Sequence, residues 1–321
     1  MKPSVLILAV AIDLGLGDPP NALHPVAWFG RFVQALERRA PRDNPRAEMF
    51  YGAGIVTSGV ALSAFPAFVI ERFYKSRKPN VLGVLILAIA LKMTFAWRAL
   101  IQAGASVQRD LESERSDRAR SDLRALVSRD TTQLESSHLA AAAIESLAEN
   151  ASDSFIAPLF YFTLFGLPGA FVYRAVNTLD SMIGYHGRYE YLGKVAARLD
   201  DGLNLIPSRI TAVLIVIAAR FADGKARRAW RTMLRDHAKT ASPNAGHPMS
   251  AMAGALDVRL EKVGHYRLNE NGRAPQPRDI QRATRIVSVA LALGTIIGIG
   301  MLKIRNRKSE IRNAFTSSSR N

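Results

Sequence analysis

The chain has 321 residues, of which 48% are hydrophobic, and a formal net charge of +16. Because it contains no cysteine, disulfides, thiolate catalysis and thiolate zinc sites are excluded. The length allows either two soluble domains or one polytopic membrane domain, so the distribution of apolar residues must decide between these classes.

The first apolar segment, residues 4–20 (SVLILAVAIDLGLGDPP), is shorter than a full membrane span. A cleaved signal peptide is disfavoured, because Lys2 is the whole basic n-region and no small-residue cleavage site precedes Asp13. We expect a helix that enters the membrane or its interface and brings Asp13 and Asp18 to a site. His24 follows in a proline-stiffened segment and is, by itself, a weak signal of catalysis.

Five further runs are long and apolar enough to be spans or near-spans: 53–70, 81–101, 155–173, 203–219 and 286–302. None is ideal, since the second carries Lys92 and the third contains Pro158 and Pro168. Buried helices of a large soluble protein are the alternative interpretation. With strand patterns nearly absent, the sequence predicts an all-α, polytopic integral membrane protein with about four to six membrane-embedded helices, whose helical and loop connections carry the site. Residues 1–302 are expected to form one catalytic domain, and residues 303–321 a basic polar tail.

The helix-forming stretch 137–153 carries three carboxylates at i, i+4 and i+8: Glu145, Glu149 and Asp153. This spacing places them within about 80° of one helical face. Three like charges repel unless a cation offsets them, and Mg²⁺ prefers such oxygen ligands. A solvated acidic face is the alternative.

After the apolar run, Arg174 and Asn177 are neighbours at i, i+3, Asp180 adjoins them, and Gly184 is expected to end the helix. This combination is typical of phosphate recognition with metal ligation, and equally of a satisfied hydrogen-bond cluster.

Two polar segments follow further along the chain. Asp200 and Asp201 stand next to each other, ahead of Asn204 and Arg209, and can bind a metal or simply be solvated. The turn around Asn244 (SPNAGHP) can point N–H groups at an anion, although most such turns only connect elements.

The positive charge is compatible with nucleic acid, an anionic membrane surface or anionic substrates. Nucleic acid is disfavoured, because no DNA- or RNA-binding signature organises the basic residues. The basic tail predicts a cytoplasmic end, but residues 220–285 are basic too, so the topology stays open. No P-loop, GxGxxG, HExxH or GxSxG motif is present, and a nucleotide site would have to be unorthodox.

Nine blocks occur together in one order: GDPP-N-x-x-HPV (17–26), SRDT (128–131), ESLAEN-x-x-D (145–153), APLF (157–160), YRAVNTLDSM-x-GY (173–185), RY (188–189), ARLDDGLN-x-IPSR (197–209), SPNAG (242–246) and AMAGAL (251–256). In this combination the chain resembles the CobD/CbiB family of cobalamin biosynthesis, the adenosylcobinamide-phosphate synthases. The resemblance implies a membrane enzyme that uses ATP and Mg²⁺ to join adenosylcobyric acid to (R)-1-amino-2-propanol phosphate, or a related amino alcohol, through an amide.

The resemblance also implies roles for the polar residues. The carboxylates expected to bind Mg²⁺ or to deprotonate the incoming ammonium are Glu145, Glu149, Asp153, Asp180, Asp200 and Asp201, with Asp153, Asp180, Asp200 and Asp201 as the metal ligands. The residues expected to hold or orient substrates are Asp18, His24, Arg129, Asn150, Arg174, Asn177, Asn204, Arg209 and Asn244.

The chain departs from the family pattern at His247, where an aromatic residue usually follows SPNAG, and at residues 264–273. These differences concern the amino substrate more than the reaction class. The expected location is the inner or plasma membrane, with the site loops facing the cytoplasm, where other late-pathway membrane enzymes are compatible partners. The alternatives are a membrane transporter for a small anionic molecule and a catalytically silent sensor paralogue.

Overall fold

The computed structural model describes residues 2–76, 80–124, 126–127, 131–132, 134–222 and 224–318, with side chains to residue 308. The α-helices of these ranges are α1 (Pro3–Leu16), α2 (Pro25–Glu37), α3 (Pro45–Lys75), α4 (Val81–Lys92), α5 (Trp97–Glu112), α6 (Ser116–Leu123), α7 (Ser136–Ala151), α8 (Ala157–Phe165), α9 (Leu167–Ile183), α10 (Lys194–Ala219), α11 (Ala226–Asp236), α12 (Gly246–Leu256) and α13 (Pro277–Ser318). A short antiparallel hairpin, β1 (Leu260–Lys262) and β2 (Tyr266–Leu268), pairs Leu260 with Leu268. The predicted all-α class is confirmed.

Four stretches of the described chain are long and apolar enough to cross a membrane: Pro45–Lys75, Val81–Glu112, Lys194–Ala219 and Pro277–Lys308. The second of them comprises α4 and α5, which a turn at residues 93–96 separates. In α3, only 22% of the most apolar 18-residue window is buried inside the protein. An apolar helix with so much exposed surface fits a lipid environment, because water would make that exposure costly. The prediction of a polytopic membrane protein is therefore confirmed.

The third expected run, 155–173, is not a single helix. Gly166 has a φ of +76° and separates α8 from α9, which begins at Leu167 with a proline in its first turn. The buried carboxylate of Glu71 accepts a hydrogen bond from the Leu167 N–H at 2.6 Å, and a Cβ at Gly166 would lie 2.4 Å from Glu71 Oε2. An acidic cap on a free helix N-terminus stabilises the break. The run predicted as a span or near-span at 155–173 is therefore divided between two shorter helices.

The chain folds into two compact units. The first comprises Met1–Phe95, Pro158–Ala197 and Gly294–Asn321. Part of its core is formed by Phe29, Val33, Ile55, Leu179 and Leu192, from α2, α3, α9 and the segment after α9. Gly52 allows α3 to approach that last segment, since a Cβ there would lie 2.0 Å from the Leu192 carbonyl oxygen.

The second unit comprises Ala96–Ala157 and Arg198–Leu293. Its centre is α7, which is buried along nearly its whole length and packs against α5, α12 and β1. Both α7 and α12 are rich in alanine and other small residues, so their backbones can approach closely. Within this unit the carboxylates of α7 are therefore held on a rigid, buried helix.

Candidate functional site

The acidic side of α7 borders a small cavity of the second unit. Glu145 and Glu149 line this cavity of about 150 Å³ together with Ser146, Lys262 and Tyr266. Glu145 is only 5% exposed, whereas Glu149 is half-buried. Lys262 brings a positive charge to the same space, which offsets part of the repulsion between the two carboxylates. The arrangement concentrates proton-accepting groups beside a basic side chain.

Asp153 lies beyond the end of this α-helical face. α7 ends at Ala151, and Ser152–Ile156 form a π-helical turn, in which each hydrogen bond spans five residues instead of four. The predicted three-carboxylate face assumes a rotation of about 100° per residue as far as Asp153. This regular rotation ends at Ala151, so Asp153 does not continue the face of Glu145 and Glu149. Just upstream, Asn150 Nδ2 donates to the Ser146 carbonyl oxygen at 3.0 Å and to Ser146 Oγ at 2.9 Å. Asn150 thus helps to fix the last turn of α7.

The structure brings the α10 residues and the SPNAG turn together in the second unit. Asn204 Nδ2 donates to Asp200 Oδ2 at 2.9 Å, and Asn244 Nδ2 donates to the Asp201 carbonyl oxygen at 2.8 Å. Arg209 Nη1 in turn donates to Asn244 Oδ1 at 3.3 Å. Five of the predicted site residues therefore take part in these contacts: Asn204 pairs with Asp200, and the buried Asn244 joins Asp201 and Arg209.

His247 follows the SPNAG turn and is not among the site residues predicted from the sequence. Its ring stacks on His237 at a centroid distance of 4.4 Å. Burial, and then the nearby Arg209 and His237, lower the pKa of His247 to about 4. Gly246 is required next to it, because a Cβ there would lie 2.0 Å from the His237 carbonyl oxygen. The departure of His247 from the family pattern was the signal that could have identified it.

Asp18 and His24 lie together in the first unit with Lys92, which is not among the site residues predicted from the sequence. Lys92 Nζ is hydrogen-bonded to Asp18 and lies 3.3 Å from Asp13 Oδ1, and His24 Nε2 is 3.7 Å from Asp18 Oδ1. Burial alone would raise the pKa of Asp18, but the neighbouring His24 and Lys92 lower it to about 2. A lysine within an apolar helix implies such acidic partners, and this signal was visible in the sequence.

His24 also begins a helix. Its Nδ1 accepts a hydrogen bond from the Val26 N–H at 3.2 Å, which caps α2. A ring nitrogen that accepts a hydrogen bond carries no proton, so Nε2 holds the proton of the neutral imidazole and faces Asp18. The Val26 N–H thus orients the His24 ring toward the Asp18 carboxylate.

Arg174, Asn177 and Asp180 share α9 in the first unit, where all three are half-buried. Gly184 ends this helix as predicted. Arg174 and Thr178 line a cavity of about 520 Å³ whose other residues are almost all apolar: Pro25, Val26, Trp28, Phe29, Leu62, Ser63, Pro66, Ala67, Ile70, Ala90, Met93, Phe171 and Ala175. A guanidinium at the wall of an apolar cavity can orient a ligand that combines an anionic group with an apolar body.

The predicted metal ligands do not form a complete cage for Mg²⁺. Among the described residues, no group of three or more His, Asp or Glu side chains is placed to hold a metal ion. Mg²⁺ is usually bound by one or two carboxylates together with substrate phosphates, so the donor set fits an ion that arrives with a nucleotide. Asp153, Asp200 and Asp201 in the second unit and Asp180 in the first remain the predicted ligands. Arg129 lies outside the described residues.

Comparisons with known proteins match nearly the whole chain. The family model described as "CobD/Cbib protein" matches residues 6–287. "Cobalamin biosynthesis protein CobD" of Dehalococcoides mccartyi is 43% identical over 93% of this chain and 96% of its own length. The "Probable cobalamin biosynthesis protein CobD" of Methanothermobacter thermautotrophicus is 42% identical over 94% of this chain and 98% of its own length. The protein of the same name from Thermococcus kodakarensis is 42% identical over 92% of this chain and 94% of its own length.

No solved structure matches the chain. The family match includes the GDPP, ESLAEN, NTLDS, LDDGLN and SPNAG blocks, whose polar residues form the clusters described above. The similarity extends over almost the full lengths of these relatives, so it concerns the entire protein rather than one segment. The chain is thus a member of the CobD/CbiB family.

Proposed function

We propose that this protein acts in cobalamin biosynthesis as adenosylcobinamide-phosphate synthase. In this reaction ATP drives the formation of an amide between a propionate of adenosylcobyric acid and the amine of (R)-1-amino-2-propanol phosphate or a related amino alcohol. The observation that carries the proposal is the family match over residues 6–287, which includes all nine sequence blocks of the resemblance. The membrane character of the helices is consistent with a large substrate that has apolar faces.

The chemistry divides into two steps. A carboxylate is a poor acyl donor, so transfer of the γ-phosphoryl group of ATP to the propionate oxygen gives an acyl phosphate and ADP. The amine then attacks the acyl carbon, the carbon–oxygen bond to phosphate breaks, and inorganic phosphate leaves while a base takes the ammonium proton. Both steps require groups that neutralise phosphate charge and one group that accepts a proton.

The clusters of the second unit supply such groups. Arg209, held against Asn244, presents a cation at an exposed position of α10, and Asp200 and Asp201 lie about two turns earlier on the same helix. Bound with ATP, Mg²⁺ would neutralise the phosphate oxygens at these carboxylates. Glu145 and Glu149, which share a cavity with Lys262, are the proposed proton acceptors of this unit, together with Asp153. Asn204 orients Asp200 through its hydrogen bond, and Asn150, bonded to Ser146, fixes the last turn of the helix that carries Glu145 and Glu149.

The first unit supplies the other proposed contacts. Arg174, at the wall of the apolar cavity, would bind an anionic group of the corrinoid or the amino-alcohol phosphate, with Asn177 and Asp180 on the same helix. Asp18, ionised because of Lys92 and His24, is suited to hold the ammonium of the amine. Both organic substrates and ATP are cytosolic, so the proposal assigns the loops with these residues to the cytoplasmic side of the cell membrane.

The test is direct detection of the product. Detergent-purified protein is given adenosylcobyric acid, ATP, Mg²⁺ and each candidate amine, and adenosylcobinamide phosphate or its ethanolamine analogue is sought by mass spectrometry. We expect product that depends on ATP and disappears in Asp180→Asn and Asn177→Ala. Asp117→Asn is the matched control, because that carboxylate lies fully exposed on α6. Folded protein that makes no product with any amine, beside an active homologue, would refute the synthase and favour a transporter or sensor.

A further inference from the structure

The helix α11 of the second unit presents a mixed basic and apolar face to its surroundings. Arg227, Trp230, Arg231 and Leu234 are all exposed and follow one another at i, i+3, i+4 and i+7. This spacing places them within about 100° of one helical face. Trp230 is 44% exposed and Leu234 56%, so two large apolar side chains lie beside two arginines on this face.

The opposite side of α11 is firmly packed, so this face cannot turn inward. Gly254 of α12 approaches so closely that a Cβ there would lie 2.7 Å from the Arg228 carbonyl oxygen. The Lys225 N–H also donates to the Ala255 carbonyl oxygen at 2.9 Å. At the other end, the buried Asp236 accepts a hydrogen bond from the Asn269 N–H at 2.7 Å. The orientation of the exposed face is therefore fixed by the fold.

Among the described residues, none neutralises the positive charge of this face. Arg220, Arg227 and Arg231 line a cavity of about 660 Å³ at the start of α11, and among the described residues no carboxylate lies within ion-pair distance of them. The neighbouring Lys225 and Arg228 differ, because both are paired with Asp257. Three unneutralised guanidinium groups around one cavity need an anionic partner that the described part of the chain does not provide.

The position along the chain indicates the source of that partner. Arg220 directly follows α10, one of the four stretches able to cross a membrane, and the next residue, Phe221, is 71% exposed. Arginines with exposed Trp, Phe and Leu beside the end of a span are typical of the membrane–water interface. A soluble polyphosphate would account for the arginines but not for the exposed apolar side chains between them.

We propose that the face formed by Arg227, Trp230, Arg231 and Leu234, with Arg220 and Phe221, lies on an anionic phospholipid surface. The apolar side chains enter the boundary between headgroups and acyl chains, and the arginines bind lipid phosphates in the cavity. This docking places the end of α10 and the whole of α11 at one leaflet surface. It does not depend on the proposed reaction.

The test uses the complete protein in lipid nanodiscs. Because the natural chain has no cysteine, Leu234→Cys gives a single site for a spin label, and Val263→Cys in the hairpin turn is the matched exposed apolar control. Collision with oxygen, compared with collision with a water-soluble nickel complex, reports whether each label is immersed. In nanodiscs with phosphatidylglycerol we expect the label at 234 to be immersed and the label at 263 to face water.

Charge variants separate headgroup recognition from simple apolar contact. The label at Leu234→Cys is then measured in a variant that also carries Arg227→Gln and Arg231→Gln. In anionic nanodiscs, each lost arginine should reduce the ratio of immersed to water-exposed label about five-fold, because each removes its attraction to lipid phosphates. Arg118→Gln with Arg124→Gln, two exposed arginines of α6 and its C-terminal cap, is the control with the same change in net charge. Equal water exposure at 234 and 263 in every lipid would overturn the proposal. The proposal would also be overturned if the label at 234 were as deeply immersed in nanodiscs of phosphatidylcholine alone as in those with phosphatidylglycerol, and if the arginine variants did not change this.

Discussion

Replacing Lys92 with methionine tests the buried ion cluster of the first unit. Lys92 and Asp13 each expose 1% of their side chains, and Nζ lies 3.3 Å from Asp13 Oδ1. Methionine is similar in length but uncharged, so the variant leaves the Asp13 carboxylate buried without this cation. Removing one partner of a buried ion pair costs about 3–5 kcal/mol. Asp18 is 31% exposed and can rehydrate, so we expect a loss near the lower limit, about 3 kcal/mol.

The measurement is the free energy of unfolding of the purified protein, obtained by titrating mixed micelles with SDS. Lys225→Met is the control, because its partner Asp257 is at the surface and keeps its pairing with Arg228. We expect the control to lose less than about 1 kcal/mol. Lys92→Met combined with Asp13→Asn should be more stable than Lys92→Met alone, because it removes the buried carboxylate. Equal losses for Lys92→Met and the control would show that no buried ion pair stabilises this unit.

Two further predictions concern the SPNAG turn. Gly246→Ala should lower the free energy of unfolding by about 1–3 kcal/mol, because the new methyl group meets the His237 carbonyl oxygen. Gly202→Ala is the control: a Cβ at residue 202 would meet no other atom, so this variant should not be destabilised in the same titration. His247 has its pKa lowered to about 4 in the folded protein, so the unfolded chain binds more protons between its ordinary pKa of 6.5 and pH 4. Stability should therefore fall as the pH drops through this window, and His247→Phe should reduce that slope. If the free energy of unfolding depends on pH equally in the variant and in the natural protein, His247 is not the group responsible.

Much of the helical framework could be predicted from the apolar runs alone. Continuous hydrophobic segments around 53–70, 203–219 and 286–302 coincide with α3, α10 and α13, because a long apolar helix is the favoured structure in a bilayer. Gly184 also ends α9 as expected, since glycine is favoured after a last helical turn. These features depend on residues close together in sequence.

The features that escaped prediction depend on contacts between distant residues. The break at Gly166 is stabilised by Glu71, which lies 95 positions earlier. The hydropathy of residues 155–173 alone therefore does not predict this break. The π-helical turn after Ala151 likewise interrupts a sequence that has uniform helical periodicity. Lys92 was visible as an oddity in an apolar run, but its acidic partners, Asp13 and Asp18, could only be assigned once α1 and α4 were seen to pack together.

The candidate site was predicted best where its residues share a helix or a turn. Asp200, Asn204 and Arg209 lie on α10, and the structure adds Asn244 through hydrogen bonds that the sequence could not specify. The roles of Glu145 and Glu149 remain predictions, and the structure adds Lys262 as their basic neighbour. That neighbour belongs to a hairpin of only three residues per strand, which is too short to show an alternating pattern in the sequence.

The end of α13 completes a unit whose other helices are made first by the ribosome. Arg305 Nη1 donates to the Leu164 carbonyl oxygen at 3.1 Å, and a methyl group at Gly298 would lie 3.3 Å from side-chain atoms of Leu6 and Leu159. During synthesis the N-terminal helices must therefore wait for nearly the whole chain before their last packing partner arrives. Contacts between such distant segments slow folding and prolong exposure to quality-control proteases. A truncation ahead of residue 298 would thus damage the N-terminal helices, although it removes none of them.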